Sequence, residues 1–156
     1  MGCYYTGLKM IPESRRKRYS EKLELAEERL QDAEELLHEL SDKIKKLACY
    51  KAFQELVESL FDVISMFLKD SGKEIEDDYT NLDKFAALVN LTENEIKVLK
   101  DANGLRNRLV HKYNRTDDLI AKESMEFLLP HLQKIIEKFK ELVERNGSSI
   151  QANEGN

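Results

Sequence analysis

Arg106, His111 and Tyr113 stand close together in "DANGLRNRLVHKYNRTDD", residues 101 to 118 of a chain of 156 residues. An imidazole titrates near neutrality, so it can take a proton from a ribose 2′-OH or give one to a leaving oxygen. Guanidinium groups can hold a phosphate and the charge that develops on it. That combination suits cleavage of RNA without a metal. Arg108 and Lys112 flank the His and are candidates to hold the RNA phosphates. No His/Asp/Glu cluster has metal-ligand spacing, and no Gly-rich phosphate loop, nucleophile elbow or zinc pattern is present. No cofactor is expected.

At 100° per residue, Val98, Leu99, Ala102, Leu105, Leu109 and Val110 fall on both sides of Arg106, which therefore lies inside an apolar arc. A guanidinium there needs an acidic partner, a dimer groove or an anionic ligand. Tyr113 projects about 20° from Arg106, whereas His111 projects about 140° away. One straight helix cannot present Arg106 and His111 on one face. Either the helix ends or distorts near Val110, or a two-fold copy completes the site, bringing two His and at least four Arg into one groove. Gly104, two turns before His111, would leave room there for a ligand.

The elements that must carry these residues are helical. Residues 1–19 read as an irregular basic arm ending in "RRKR", a run that is either a solvated tail or a hold on RNA or an acidic partner. Residues 20–146 read as the helical domain. From Ser20 as an N-cap, Leu23, Ala26, Leu30, Ala33, Leu37 and Leu40 mark a first amphipathic helix. Ser41 or Asp42 caps a second, running to about Asp70 and stopped at Gly72. Leu47, Phe53, Leu56, Val57, Leu60, Ile64 and Phe67 give it a broad apolar face, with Glu55, Glu58 and Asp62 as solvated or pairing residues beside it.

"NLDKFAALVN" makes a short third helix, and Thr92 with Glu95 forms a capping box opening a fourth toward residue 113. Asp117 or Asp118 caps a long last helix, which Pro130 should bend or interrupt and "NGSS" should end. Residues 147–156 read as a disordered tail. The fold class is all-α, an antiparallel bundle of four to five helices.

Few Gly, two Pro and 35% charged residues describe a helical chain rather than a disordered or β-rich one. No apolar run reaches the roughly 18 residues of a membrane span, and no signal peptide is evident, so the expected location is the cytoplasm. Cys49 reads as a small core residue. His38 and His131, alone on helices, read as surface or packing residues. A net charge of −5 argues against coating nucleic acid by bulk charge. From residue 97 to 115, however, six basic residues face only Asp101, a local +5 that leaves −10 for the rest. Anion binding is therefore expected mainly on this segment.

"GLRNRLVHKYN" resembles the R-x4-H-x-Y signature of the HepT-like toxins in the HEPN superfamily, in which a polar residue commonly follows the Arg, as Asn107 does. The similarity extends from about Leu23 to Val143 and includes "YKAFQELVESLFDV" and "DDYTNLDKF". The resemblance implies a HEPN-type bundle that forms a homodimer through the motif face, and a metal-independent ribonuclease. It further implies a toxin neutralised by a MntA-like nucleotidyltransferase antitoxin, possible in a larger complex, which transfers AMP from ATP to the motif tyrosine. By that carry-over Arg106 and His111 are catalytic, Asn107 supports them and Tyr113 accepts AMP. The basic N-terminal arm departs from the compact family form. Two other readings stand beside this one: a non-catalytic nucleotide-binding or scaffold partner of a nucleotidyltransferase, and a structural dimer with Arg106 in an ion pair.

Overall fold

A computed structural model of the chain describes residues 11–111 and 117–154, with side chains through residue 146. Five helices and no strand occur among the described residues: α1 (Glu13–Leu36), α2 (Lys43–Asp70), α3 (Asp78–Val89), α4 (Glu93–Val110) and α5 (Asp118–Glu154). None of them is long and apolar enough to cross a membrane.

Local chemistry sets most of the boundaries. Asp42 accepts hydrogen bonds from the backbone N–H groups of Ile44 and Lys45, and so caps α2. At the other end Gly72, at φ +76°, lets Lys73 N–H reach Leu68 O (2.8 Å) and Gly72 N–H reach Lys69 O (3.0 Å). That pair of bonds is a Schellman closure. Asn90, at φ 56°, closes α3 in the left-handed region. Thr92 and Glu95 form the expected capping box of α4, and Asp117 caps α5 through Leu119 N–H and Ile120 N–H.

Helix α2 is the central element, in contact with α1, α3 and α4, while α5 closes the bundle against α1 and α4. Its Phe53, Leu56, Val57, Leu60, Ile64 and Phe67 are buried as expected. A chain of edge-on and tilted rings, Tyr19–Phe67–Phe85–Phe139, runs through α1, α2, α3 and α5 with centroids 5.0, 5.5 and 5.3 Å apart. Cys49 is buried, and burial pushes its thiol up to about 11.

Three expectations are corrected. Residues 13–19 of the expected arm are helix, so Ser20 lies inside α1 rather than capping it. The cause is tertiary: Tyr19 is fully buried, its hydroxyl donates to Asp70 (2.6 Å), and Arg15 binds the same carboxylate. Helix α5 does not stop at residue 146 but continues to Glu154, so the expected disordered tail is largely helical. Asn146 turns its amide onto Leu142 O (2.7 Å) and is satisfied within the helix. Pro130 lies inside the continuous α5 and so marks no change of segment, with buried Leu128, Leu129 and Leu132 holding both sides of it on the core. Leu47 is 57% exposed rather than part of the core face.

Candidate active site at the end of α4

Buried Val98, Leu99, Ala102, Leu105 and Leu109 fix one side of α4 on the bundle. This leaves Arg106 at the boundary with α2, its side chain 25% exposed. Arg106 Nη2 donates to Glu58 Oε1 at 2.8 Å, and Nη1 donates to Asn107 Oδ1 at 3.0 Å. The ion pair with an α2 carboxylate is thus real, and Asn107 does hold the guanidinium. Arg106 Nε is nevertheless buried without a hydrogen-bond partner. A buried donor left unpaired costs about 1–3 kcal/mol, so this placement of Arg106 carries a cost in stability.

Helix α4 ends at Val110, three residues short of its expected limit. His111 is its C-cap at φ −99°, ψ 14°, with its N–H on Asn107 O (3.0 Å) and its side chain exposed. The helix therefore ends where one of the two routes to a shared face required it to. No hydrogen bond joins the Arg106 and His111 side chains among the described contacts. Lys112 and Tyr113, the other predicted phosphate ligand and the AMP acceptor, lie outside the described residues.

Arg108 points to the other side of α4. With Asp101, Gly104, Glu123 and Phe127 it lines an open groove of about 420 Å³ between α4 and α5. Gly104 leaves that groove clear, since a Cβ there would meet nothing nearer than Arg108 Nη1 at 3.8 Å. The predicted site residues are thus split: Arg106 and Asn107 beside α2, Arg108 beside α5, and His111 at the helix end.

The basic segment is largely neutralised. Lys97 pairs with Asp101 (2.9 Å), Lys100 with Asp83 (3.4 Å) and Arg106 with Glu58. Of its described cations only Arg108 keeps no acidic partner, so formal counting along the sequence overstated the patch. His38 is exposed, and His131 stacks on Phe127 with Nδ1 3.0 Å from Phe127 O, as surface or packing residues should.

A clamp that sequence reasoning missed fixes the far end of the connection after His111. Lys46 (3.1 Å) and the hydroxyl of Tyr50 both bind Asp118, the first residue of α5. Burial and then the Asp118 hydrogen bond raise the Tyr50 phenol well above its ordinary value. The sequence marked Asp118 only as a possible cap; its partners come from another helix.

The family described as "Ribonuclease HepT-like" matches residues 18–139. The chain belongs to the HepT-like ribonuclease family. A relative in Archaeoglobus fulgidus, named "Putative RNase", is 42% identical over 103 residues, covering 66% of this chain and 76% of its own length. A second one from that organism, with the same name, is 34% identical over 131 residues, covering 84% of this chain and 97% of its own. A third "Putative RNase", from Methanocaldococcus jannaschii, is 40% identical over 73 residues, 47% of this chain and 84% of its own length. The HepT-like match takes in α2 through α4 and with them Arg106, Asn107 and His111.

Proposed function

We propose that this chain is a metal-independent endoribonuclease toxin acting through Arg106 and His111. The observation that carries the reading is the Arg106 guanidinium, tethered by Glu58 and Asn107 and still 25% exposed, five residues before an exposed imidazole. Nη1 and Nη2 each keep a further N–H beyond these tethers, and a phosphate oxygen is an acceptor suited to them. His111 takes the proton of the 2′-OH, the 2′-oxygen bonds to phosphorus, and the 5′-oxygen leaves and regains a proton. The product is a 2′,3′-cyclic phosphate, with Arg106 holding the charge of the transition state. Arg108 and Lys112 bind flanking phosphates.

The resemblance and the family membership support two further parts of the reading. The chain acts as a homodimer whose motif faces form one groove, and the lack of a hydrogen bond between the Arg106 and His111 side chains among the described contacts favours a partner that completes it. A MntA-like nucleotidyltransferase antitoxin silences the enzyme: the Tyr113 oxygen attacks the α-phosphorus of ATP and pyrophosphate leaves. The added anionic group would compete with RNA phosphate for Arg106. The second reading, a non-catalytic nucleotide-binding partner, draws on the α4/α5 groove, whose size and Phe127–Arg108 lining suit a nucleotide.

The test incubates the protein and its His111→Ala variant with total RNA in EDTA. Cyclic-phosphate ends made only by the unmutated protein are expected. Equal cleavage by the variant would remove His111 from the reaction. Tight nucleotide binding without any cleavage, by protein shown by mass to be free of AMP, would install the second reading.

A further inference from the structure

Glu55, Glu58 and Asp62 form one stripe of α2, three and four residues apart. Glu55 binds Arg29 of α1 (2.8 Å), Asp62 binds Lys22 of α1 (2.8 Å), and Glu58 between them binds Arg106 of α4. The stripe is thus a floor with α1 along one side and the candidate catalytic Arg along the other. On α1 the pairing residues Arg15, Lys22 and Arg29 recur every seven positions, a single face. Arg18 occupies that same face between Arg15 and Lys22. The register set by Arg15–Asp70 and Lys22–Asp62 puts Arg18 level with Met66, which offers no carboxylate.

Arg18 is therefore the rung of this ladder without an acid, and its exposed neighbour Lys17 has no ion pair either. Both line an open groove of about 570 Å³ with Ser14, Glu21, Lys22 and Leu25. Lys69, seven residues beyond Asp62 on the α2 stripe, is exposed and unpaired as well. Among the lining residues Lys17 and Arg18, without ion pairs to the described residues, face Glu21, a surplus of +1, whereas the segment around Arg106 is mostly neutralised. The Lys22–Asp62 rung lies about 6 Å along α2 from the Glu58–Arg106 rung, and Arg18 about one turn farther. A strand held at Arg106 meets this rim within a few nucleotides.

We infer that Lys17 and Arg18 on the first turns of α1, with Lys69, form a phosphate-backbone subsite that extends RNA contact beyond the cleavage site. This rests on the ribonuclease reading. The rim carries no exposed aromatic ring among its lining residues, so it tracks backbone rather than bases. The basic run read from the sequence as an irregular arm is, in the fold, a rigid rail beside the site.

Fluorescence anisotropy tests this in the non-cleaving His111→Ala background, with labelled single-stranded RNAs of increasing length across a salt titration. The added pair Lys17→Ala and Arg18→Ala should weaken binding of long RNAs several-fold, with a gap that widens with length. The slope of log affinity against log salt should fall by about 1.4, from two lost contacts at about 0.7 each. Long RNAs bound with unchanged affinity and slope would overturn the subsite and leave the rim to an acidic protein partner. A loss independent of length would overturn it too. If the His111→Ala protein itself bound no RNA at any length, the ribonuclease reading would fall first, and the subsite with it.

Discussion

At Arg106 the sequence located a residue and left its partner open, because a helical wheel reports the face and not what stands opposite. The wheel placed the guanidinium in an apolar arc, and its need for a partner followed. Among Glu55, Glu58 and Asp62, only the packing of α4 on α2 selects Glu58. The pair is half in water, with Glu58 42% exposed, so Glu58→Gln should cost about 1 kcal/mol of stability or less. Its effect on the proposed reaction should be larger and divided. Loss of the ionic tether should lower kcat about tenfold, while removal of a carboxylate beside the phosphate should lower KM. Steady-state cleavage of one defined RNA measures both; constants that stay together at their original values would reduce Glu58 to a surface ion pair.

Among the elements, α4 is held at its N-terminus by a carboxylate with two duties. Glu95 Oε1 accepts from Thr92 N–H (2.8 Å) and from Lys138 Nζ on α5 (2.8 Å). Partial burial pushes its carboxyl up, but the Lys138 and Thr92 hydrogen bonds outweigh this and hold it below the ordinary value of 4.5. A carboxyl depressed in the fold adds stability that is complete above its unfolded pKa and is lost as pH falls through the folded one. Glu95→Gln keeps the side-chain acceptor of the capping box and removes only the charge. The variant should be about 1 kcal/mol less stable than the unmutated protein at neutral pH. That gap should close in urea unfolding as pH falls below the ordinary carboxylate range, and a gap independent of pH would assign the loss to the amide's geometry. Caps such as Thr92, Asp42 and Gly72 were legible because their chemistry is local. The start of α1 was not, since it depends on Tyr19 and Arg15 meeting Asp70 some fifty residues away. The end of α5 was misread because Asn146, a common stop signal, satisfies its amide on the preceding turn.

At the scale of the whole molecule, the proposed homodimer has to bring a site split across α4 into one groove. Val110, Leu119, Ile120 and Phe127 are exposed at 39%, 64%, 55% and 59%, at the end of α4 and along the first turns of α5. Ile44 and Leu47 join them from the start of α2, which Lys46 and Tyr50 tie to Asp118. Large apolar side chains exposed near a candidate site suit contact with another protein, and the proposed two-fold partner would present the same surface. The unmutated protein should then sediment as a dimer. Ile120→Glu with Phe127→Glu would place unpaired carboxylates in the interface and weaken association by about 3 kcal/mol or more, on the order of 100-fold. Cleavage should fall with the dimer while helical content stays, because both positions are exposed in the single chain. An active monomer would instead mean that Arg106 and His111 of one chain suffice, with the end of α4 at Val110 giving the imidazole its freedom to reach the phosphate.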